Sequence, residues 1–465
     1  GGSAAGARVY VLCGGGNNGG DGFVAARYLS NWGARVEVGL AVAPARLRGA
    51  SGAFFKVLDR MGVPVAPAEG EALDAALAGA DIVVDAILGT GFKAPLREGV
   101  ARITGRVNAS GRPVLAVDIP TGVEADTGAA SADAIRAQAT VTFGLPKVGH
   151  LVGEGRECTG ALHVAEIGFP RALLSGEGAR CLWVREETAR GLLWPRPPRG
   201  HKGTFGRVLV VAGSEGMAGA AALAALGALR SGAGLVTWAG PKSILSVVQS
   251  LVPEATALGL PEQGGVLAGE GTARLVEAIK PGDAVVFGPG LRPVPAVYEA
   301  LARLAEAGVP LVVDADGLNA LARWGLVRAR GPLVLTPHPK EAARLLGVSA
   351  RMVTADPIGA ARRIAEACGG VAVLKGSPSV THDGERAYIN GSGDVSLATG
   401  GSGDVLSGVI GALLAQGYSP LHAAVLGVFV HGRAGELLAQ APGRHAAIAR
   451  DVASAVGEAF RLLEA

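Results

Sequence analysis

Apolar runs of strand length alternate with helix-length segments through the first third of the chain. Predicted strands occupy Arg8–Leu12, Arg35–Leu40, Ile82–Ala86 and Val114–Ile119. Between the first two strands, Gly22–Trp32 has the pattern of a helix that ends at Gly33. Strand, helix and strand at this spacing predict parallel pairing in a doubly wound sheet.

A second α/β block begins after residue 200 and has the same alternation. Its predicted strands are Arg207–Gly213, Ala284–Phe287, Leu311–Asp314, Leu333–Leu335 and Val371–Leu374. Helical patterns lie between these strands, and the two blocks share no repeat at the level of residues. The chain is therefore predicted to be an α/β protein with two domains.

The boundary between the blocks is predicted where the pattern fades, after Ile167–Pro170. Leu173–Ala179 is small and polar, and Trp194–Lys202 is rich in Pro and Arg. We expect a first domain at residues 1–172 and a second at residues 180–465.

Composition excludes several classes of protein. The 465 residues carry a net charge of only +3 without a dense basic run, which argues against nucleic-acid binding. The apolar run Ala218–Leu229 is shorter than the roughly 20 residues that a membrane span needs. No signal-peptide pattern is seen, and four widely spaced cysteines without paired histidines fit a reducing cytoplasm rather than a zinc site.

The first candidate site is the glycine-rich segment Leu12–Gly22. Gly14, Gly16 and Gly19 match GxGxxG, and Glu37 follows about 20 residues later, as in dinucleotide-binding loops. A tight strand-to-helix turn explains the same glycines equally well.

Three polar residues make this loop unusual: Asn17, Asn18 and Asp21. A carboxylate repels a pyrophosphate, whereas amide and carboxylate oxygens suit a hard cation or sugar hydroxyls. The loops Asp85–Pro95 and Asp118–Gly122 also follow strands, and ligands bind at the carboxyl ends of parallel strands. Each Asp alone could merely cap a turn, but three such loops together favour a site.

These motifs resemble the NAD(P)H-hydrate epimerase domain. GGGNNGGDG, DAILGTGFKAPL, VDIPTG and TFGLPKVGH occur in family order across Arg8–Pro170. The resemblance implies a Rossmann-like fold that interconverts the R and S forms of the hydrated nicotinamide, with Asp118 as the acid/base that contacts substrate. It implies a substrate pocket formed by Asn17, Asn18, Gly19, Gly20, Asp21, Gly89, Thr90, Gly91, Phe92, Lys93, Ala94 and Pro95.

The same resemblance implies a potassium ion held by Asn18, Asp85 and Thr121, where the family often has Ser at the last position. The family also has a helical segment before its first strand. That segment is not seen here, which puts epimerase activity and dimer formation in question.

The second block contains a glycine-rich approach to a helix, TGGSGD at Thr399–Asp404, before the apolar segment Val405–Ala415. Backbone N–H groups in such a turn can bind an anion. Asp404 could be a general base for a substrate hydroxyl, or only a first-turn Asp that interacts with the helix dipole. No GxxxxGK[ST] occurs, which excludes a Walker A loop.

Other loops of this block also carry polar groups at strand ends. TPHPK places His338 on a rigid loop, although His338 could simply bond to backbone. LKGSPS places Lys375 where a phosphate contact or a surface salt bridge is expected. DADGLN supplies two carboxylates, and GPGL allows close backbone approach.

These motifs resemble the NAD(P)H-hydrate dehydratase of the ribokinase-like superfamily. HKGTFGRVLVVAGS, RSGAGLV, GPGL, DADGLNAL, LTPHPKE, LKGSP and TGGSGDVLSG cover His201–Leu414 in family order. The resemblance implies that ADP or ATP, with Mg²⁺, phosphorylates the C6 hydroxyl of the S hydrate, after which phosphate leaves. Fused forms are typical of bacteria, whose dehydratases usually use ADP, so ADP with release of AMP is expected here.

The resemblance also assigns roles to residues of the second block. Asp404 would activate the hydroxyl, and the Gly401–Gly403 amides would stabilise the transferred phosphate. Expected nucleotide contacts are Lys375, Gly376, Ser377, Pro378, Ser379, Gly401, Ser402 and Gly403. Expected hydrate contacts are Gly219, Ala220, Gly290, His338 and Asp404.

The combined expectation is a cytoplasmic, homo-oligomeric enzyme that repairs hydrated NADH and NADPH (NADHX and NADPHX). An epimerase would convert both epimers into the one that a stereospecific dehydratase removes. Three alternatives are a ribokinase-like vitamin or sugar kinase with a non-catalytic N-terminal module, a dehydrogenase using GxGxxG, and a first domain that only binds partners, since its relatives are known as lipoprotein-binding partners.

Overall fold

The computed structural model describes residues 4–174 and 178–465. Close contacts divide the chain into two compact units, Gly1–Glu177 and Gly178–Ala465. Each unit is built around one large sheet with helices on its two faces.

The first unit contains a seven-stranded sheet in which every pairing is parallel. Its strands are β1 (Arg8–Cys13), β2 (Arg35–Leu40), β3 (Val65–Pro67), β4 (Ile82–Ala86), β5 (Val114–Val117), β6 (Ala139–Phe143) and β7 (Ala161–Ala165). The strand order is β3-β2-β1-β4-β5-β6-β7, which is the doubly wound, Rossmann-like order and confirms the predicted fold class.

The helices of this unit are α1 (Asn17–Asn31), α2 (Gly49–Arg60), α3 (Gly70–Gly79), α4 (Glu98–Ala109), α5 (Gly153–Thr159) and α6 (Arg171–Leu174). Because neighbouring side chains on a strand point to opposite faces, each face of the sheet has its own core. Val11 and Val38 pack with Phe23 on one face, whereas Leu12 and Val83 pack on the other.

Two predicted boundaries around the first site were wrong. α1 begins at Asn17 rather than Gly22, so Asn17, Asn18 and the following glycines form its first turn. Gly19 fits there because a Cβ would collide with the Gly14 carbonyl. β5 ends at Val117 rather than Ile119, because Asp118 has a left-handed φ of 65° that a strand does not accommodate.

The second unit contains a mixed ten-stranded sheet and a small two-stranded one. The strands are β8 (Cys181–Val184), β9 (Arg207–Val211), β10 (Leu235–Pro241), β11 (Thr256–Leu260), β12 (Glu262–Gln263), β13 (Val266–Leu267), β14 (Asp283–Phe287), β15 (Leu311–Val313), β16 (Leu333–Leu335), β17 (Val371–Leu374), β18 (Val380–His382) and β19 (Ala387–Asn390). The large sheet has the order β11-β10-β9-β14-β15-β16-β17-β18-β19-β8, and only the pairings of β18 with its two neighbours are antiparallel in it.

Its helices are α7 (Glu186–Leu192), α8 (Ala218–Arg230), α9 (Leu245–Leu251), α10 (Gly269–Glu277), α11 (Pro295–Ala307), α12 (Asp316–Trp324), α13 (Pro339–Leu346), α14 (Ala350–Ala355), α15 (Pro357–Cys368), α16 (Ser402–Ala415), α17 (Pro420–Leu438) and α18 (Ala449–Glu464). Short helical turns add Pro44–Arg46 and Val148–His150 in the first unit, and Lys242–Ile244, Val395–Leu397 and Ala439–Gly443 in the second. Among the residues described, no helix has both the length and the apolar character needed to cross a membrane.

The long apolar helices α8 and α16 pack on one face of the second sheet. Their small residues allow close approach: a Cβ on Gly227 would collide with the Val405 carbonyl, and one on Gly408 with the Ala224 carbonyl. α16 begins at Ser402, three residues before the predicted start, so Asp404 lies within its first turn. This packing places the start of α16 beside the start of α8.

The Pro- and Arg-rich segment Trp194–Lys202 packs within the second unit. The Trp194 ring stacks on Tyr418 with centroids 4.1 Å apart, and the Trp194 amide donates to the Tyr418 hydroxyl at 2.8 Å. Of the predicted boundary Leu173–Ala179, residues 175–177 lie outside the described part of the chain.

Candidate active sites

A cavity of about 590 Å³ lies at the carboxyl ends of β1, β4 and β5 in the first unit. Residues of all three polar loops identified in the sequence line this cavity. Its predicted members are Asn17, Asn18, Asp21, Gly89, Thr90, Gly91, Phe92, Lys93, Pro95 and Asp118.

Three predicted pocket residues do not line this cavity: Gly19, Gly20 and Ala94. Gly19 and Gly20 are buried in the first turn of α1, where their lack of a side chain lets the helix pack against Gly14 and Ser51. Their role in the structure is therefore close packing beneath the cavity.

The Glu37 side chain is exposed in the middle of β2 and does not line the cavity. In a dinucleotide-binding fold, the acidic residue that binds the ribose lies at the end of that strand. The structure therefore gives no support to the dehydrogenase alternative.

Beneath the cavity, Asp85 is fully buried and tied to Thr121. The Thr121 amide donates to Asp85 Oδ2 at 2.7 Å, and the Thr121 hydroxyl donates to Asp85 Oδ1 at 2.6 Å. The Leu88 amide donates to Thr121 Oγ1 at 3.0 Å, and Asn18 Nδ2 donates to the Leu88 carbonyl at 2.9 Å. The three residues predicted to bind potassium are thus connected through one loop residue.

This cluster has the donor chemistry of a monovalent cation site. Asn18 Oδ1 is buried without a hydrogen-bond partner among the described residues, and burial raises the pKa of Asp85 to about 6. A buried carboxylate beside an unpaired amide oxygen and a hydroxyl is an oxygen-rich site that lacks positive charge. No group of three or more His, Cys, Asp or Glu residues that could hold a metal occurs among the described residues.

Asp118 projects from its left-handed position into the edge of the cavity and is held by Lys147. Lys147 Nζ lies 2.6 Å from Asp118 Oδ1 and also donates to Thr142 Oγ1 at 2.7 Å. The Thr142 hydroxyl donates to the same Asp118 oxygen at 3.0 Å. All of these contacts engage Oδ1, so one carboxylate oxygen of Asp118 is fixed while the residue still borders the cavity.

His150 fixes the backbone behind this pair. The Lys147 amide donates to His150 Nδ1 at 3.0 Å, so His150 Nε2 carries the proton and donates to the Asp118 carbonyl at 2.8 Å. Burial lowers the pKa of His150 to about 4, which keeps the ring neutral.

A second carboxylate, Asp21, lines the same cavity. Its partial burial and the negative charge of Asp118 raise the pKa of Asp21. Asp118, by contrast, has the Lys147 ammonium beside it. One cavity thus contains two carboxylates in different surroundings, one held by an ammonium group and one whose pKa is raised.

No role was predicted for Lys147 or His150, although both lie in the motif TFGLPKVGH. Arg97 and Val42 also line the cavity and were not predicted. For Lys147, the signal available in the sequence was its presence in that motif. For Val42, which follows β2, no comparable signal existed.

In the second unit, the glycine-rich approach forms the N-terminus of α16. Gly401 has a φ of 92° and caps the helix. Within the described chain, the Gly401 and Gly403 amides have no hydrogen-bond partner, whereas the Ser402 amide bonds to the Thr399 carbonyl at 3.3 Å. Free amides at a helix N-terminus can bind an anion.

Asp404 lies one residue past these amides and is mostly buried. Burial, followed by repulsion from the Asp314 carboxylate, raises its pKa to about 7 despite the opposing effect of Lys375. A carboxyl group with this pKa can accept a proton near neutral pH.

Lys375 lies between the carboxylates of this site. Its Nζ is 2.7 Å from Asp314 Oδ1, and Asp314 is only 1% exposed. Burial opposes the charge of Lys375, but Asp314, Glu341 and Asp404 together raise its pKa. The salt bridge is therefore buried at the site rather than on a solvated loop.

His338 and Glu341 form the start of α13 near this cluster. The His338 amide donates to Glu341 Oε2 at 2.8 Å, and the Glu341 amide donates to His338 Nδ1 at 3.3 Å, which is a reciprocal cap. His338 thus bonds to backbone through Nδ1 and keeps Nε2 near Glu341 Oε1, at 3.5 Å. Burial raises the pKa of Glu341 to about 7.

Of the other predicted hydrate contacts, Gly219 and Ala220 lie in the first turn of α8, and Gly290 lies in the turn after β14 and contacts that helix start. A Cβ on Gly290, whose φ is 64°, would be 3.1 Å from the Ala220 Cβ, and nothing lies within 4 Å of a Cβ placed on Gly219. A Cβ on Gly401 would meet the α8 residue Leu223. The turn that begins α8 and the turn that begins α16 therefore lie side by side.

Behind the α16 turn, His431 was not predicted. It is buried, and its Nε2 lies 3.1 Å from Ser402 Oγ and 3.0 Å from the Ser402 carbonyl. Burial lowers the pKa of His431 to about 4, so the ring is neutral. Ser402 is one of the predicted nucleotide contacts. Because its hydroxyl contacts His431, that hydroxyl is not free.

Two family models match the chain. One described as NAD(P)H-hydrate dehydratase matches residues 208–456, and one described as the YjeF-related protein N-terminus matches residues 1–149.

Similar proteins cover almost the whole chain. A protein of Moorella thermoacetica named bifunctional NAD(P)H-hydrate repair enzyme is 42% identical over 473 residues, which is 100% of this chain and 89% of that protein. A protein of Thermofilum pendens with the same name is also 42% identical, over 93% of this chain and 84% of its own length.

Among solved structures, the second unit resembles the ADP/ATP-dependent NAD(P)H-hydrate dehydratase of Bacillus subtilis, co-crystallised with ATP and Mg²⁺. The TM-score is 0.55 at 31% identity, covering 61% of this chain and 98% of that one. These comparisons confirm the predicted ribokinase-like fold and favour the repair-enzyme prediction over a vitamin or sugar kinase.

Proposed function

The chain belongs to the family of bifunctional NAD(P)H-hydrate repair enzymes, and from this premise we propose which residues perform each of two reactions. Residues 1–172 would epimerise R- and S-NAD(P)HX, and residues 180–465 would dehydrate the S epimer to NAD(P)H with ADP as the expected co-substrate. The observation that carries the proposal is Asp404, a carboxyl group with a pKa of about 7 beside the free Gly401 and Gly403 amides.

Dehydration begins with proton removal. Asp404 accepts the proton of the C6 hydroxyl as the hydroxyl oxygen attacks the β-phosphorus of ADP, and AMP leaves. The Gly401 and Gly403 amides stabilise negative charge on the phosphoryl group in transfer. The C6–O bond then breaks, phosphate departs, and loss of a proton from C5 restores the C5–C6 double bond of the dihydronicotinamide.

Lys375 has a defined electrostatic role in this scheme. With Asp314, Asp404 and Glu341 around it, the Lys375 ammonium offsets part of the negative charge that would otherwise repel a nucleotide. Mg²⁺ would be held mainly through the phosphates of the nucleotide, with one or two carboxylates at most.

Epimerisation requires reversible opening of the ring at C6, the carbon that bears both the ring nitrogen and the hydroxyl. Asp118, with Oδ1 fixed by Lys147 and Thr142, accepts the C6 hydroxyl proton as the N1–C6 bond breaks. Rotation of the resulting aldehyde and reclosure from the other face give the opposite epimer. Asp21 borders the same cavity and can supply and recover the proton at N1.

Potassium would be held by Asn18, Asp85 and Thr121, where it would supply positive charge to the buried carboxylate. The unpaired Asn18 Oδ1 and the raised pKa of Asp85 support this assignment. Its effect on catalysis would be indirect, because the same residues position Leu88 and the cavity loop that follows it.

The decisive experiment supplies both epimers of NADHX together with Mg²⁺ and either ADP or ATP. Complete recovery of absorbance at about 340 nm requires both activities, whereas recovery that stops at the S fraction shows dehydration alone. The nucleotide that supports the faster recovery is the co-substrate. No recovery with either nucleotide would contradict the proposal.

Dehydration should depend on pH through Asp404. Because the ionised form is the base and its pKa is about 7, kcat/KM should fall as the pH decreases through 7 and level off above it. Asp314, Asp316, Glu341 and Lys375 face this group, and Glu341 also has a pKa of about 7. The decrease of kcat/KM at low pH should therefore be measured in Glu341→Gln as well. If the decrease disappears in that variant, the titrating group is Glu341.

Potassium should accelerate epimerisation through Thr121. We expect the wild-type rate to be higher in KCl than in tetramethylammonium chloride of equal ionic strength, and Thr121→Val to lose most of this difference. Thr104→Val is the matched control, since Thr104 is a buried threonine whose hydroxyl, among the described residues, bonds only to helix carbonyls. An equal potassium response in Thr121→Val and wild type would remove Thr121 from the ion site.

The compartment and the assembly are also proposals. All four cysteines are free and three are buried, which suits the reducing cytoplasm. The homo-oligomer expected from the family resemblance stays a prediction, and light scattering coupled to size-exclusion chromatography measures its size.

A further inference from the structure

A second cavity, of about 540 Å³, lies at the carboxyl ends of the outermost strands β10 and β11. Lys242, Ser243, Glu262 and Arg274 contribute its polar lining. None of these residues belongs to the sites described above.

Two cations border this cavity without a partner. Lys242 and Arg274 are exposed, and neither side chain forms an ion pair or hydrogen bond within the described chain. The one carboxylate present, Glu262, is already engaged, because its Oε2 accepts from the Ser243 amide at 3.0 Å and from the Ser243 hydroxyl at 2.8 Å. The free charge of the cavity is therefore positive and suits an anion.

The cavity is joined to the turn that begins α8. A Cβ on Gly213, at the end of β9, would be 2.9 Å from the Ile244 side chain, one residue after Ser243. On the other side of the cavity, the segment after Glu262 reaches the same turn, where the Glu215 amide donates to the Gly265 carbonyl at 2.9 Å. Both walls of the cavity thus contact the loop that leads to Gly219.

The position of this cavity relative to Asp404 and Lys375 indicates that its ligand is the hydrate rather than the nucleotide. Asp404 and the α8 turn lie near the middle of the sheet, and Lys375 follows β17, on the side of β14 away from β9. The second cavity lies on the opposite side, beyond β9, with β11 about 10 Å from β9 at ordinary strand spacing. A dinucleotide whose nicotinamide lies at Asp404 can extend past Gly219 in this direction.

We propose that this cavity binds the adenosine end of the hydrate and that Lys242 and Arg274 bind the 2′-phosphate that distinguishes NADPHX from NADHX. In dinucleotide-binding folds, residues at the end of the strand next to the glycine-rich turn likewise decide between a ribose hydroxyl and a 2′-phosphate. A phosphate monoester carries up to two negative charges, which matches two unpaired cations. The assignment of the hydrate, though not the cavity or its charge, rests on the proposed function.

The kinetic test compares the two hydrates. In the double variant Lys242→Gln/Arg274→Gln, KM for S-NADPHX should rise at least about 10-fold, since charge-assisted hydrogen bonds to phosphate are lost. KM for S-NADHX and kcat for both substrates should change little. The control Lys280→Gln/Arg303→Gln removes two exposed cations of the same unit outside this cavity and should behave as wild type.

A binding measurement separates this proposal from the proposed function. Adenosine 2′,5′-bisphosphate should bind the full chain in calorimetry, and the Lys242→Gln/Arg274→Gln variant should weaken that binding at least about 10-fold whether or not the chain dehydrates anything. Equal KM values for NADPHX in the variant and wild type, or binding of the bisphosphate that the variant leaves unchanged, would overturn the assignment. Loss of dehydration in the wild type together with intact bisphosphate binding would contradict the proposed function alone.

Discussion

Replacing Asp404 with Asn should lower kcat for dehydration by at least about 100-fold, which is the contribution typical of a general base. The substitution keeps the size of the side chain and removes only its ability to accept the hydroxyl proton. Because the carboxylate is desolvated and repelled by Asp314, its loss should not destabilise the fold. ADP should bind at least as tightly, since a negative charge near the phosphates is gone.

The measurement is the rate of NADH recovery from S-NADHX at saturating ADP, with ADP affinity determined by calorimetry. Glu306→Gln is the matched control, because Glu306 is an exposed carboxylate of the same unit that forms no ion pair or hydrogen bond among the described residues. If Asp404→Asn kept near wild-type kcat, Asp404 would be only a first-turn residue interacting with the helix dipole, and another base would have to be sought.

Replacing Asp118 with Asn should lower the rate of epimerisation by about 100-fold or more and leave dehydration of pure S-NADHX unchanged. An amide cannot accept the C6 hydroxyl proton, and it also removes the partner of the Lys147 ammonium. The effect on dehydration separates the two reactions, because Asp118 lies in the first unit and Asp404 in the second.

Epimerisation is followed by the conversion of purified R-NADHX into the S form, resolved by chromatography so that dehydration is not needed for detection. Asp59→Asn, a change of an exposed carboxylate on α2, controls for loss of charge in the same unit. Unchanged epimerisation in Asp118→Asn would favour the alternative of a first domain that binds partners without catalysis. Thermal unfolding of both variants verifies that the loss of activity is not a loss of fold.

The sequence determined the features that depend on local spacing. Alternating apolar runs located the central strands of both sheets, and polar residues after β1, β4 and β5 were expected to meet because parallel strands end at one edge. Glycine-rich turns also have local signatures, since only glycine accommodates backbone approaches such as that of Gly19 to the Gly14 carbonyl. Nine of the twelve predicted pocket residues line the cavity together with Asp118, whereas Gly19, Gly20 and Ala94 do not.

The tertiary structure decided the features that join distant segments. β8 pairs with β19, about two hundred residues later in the chain, and no periodicity near Cys181–Val184 indicates that partner. The contact of Lys147 with Asp118 and the enclosure of Asp404 by Asp314, Lys375 and Glu341 arise in the same way. A pKa depends on burial and on charges brought close in space, so the sequence could nominate Asp404 as a base, but only the folded chain gives it a pKa near neutrality.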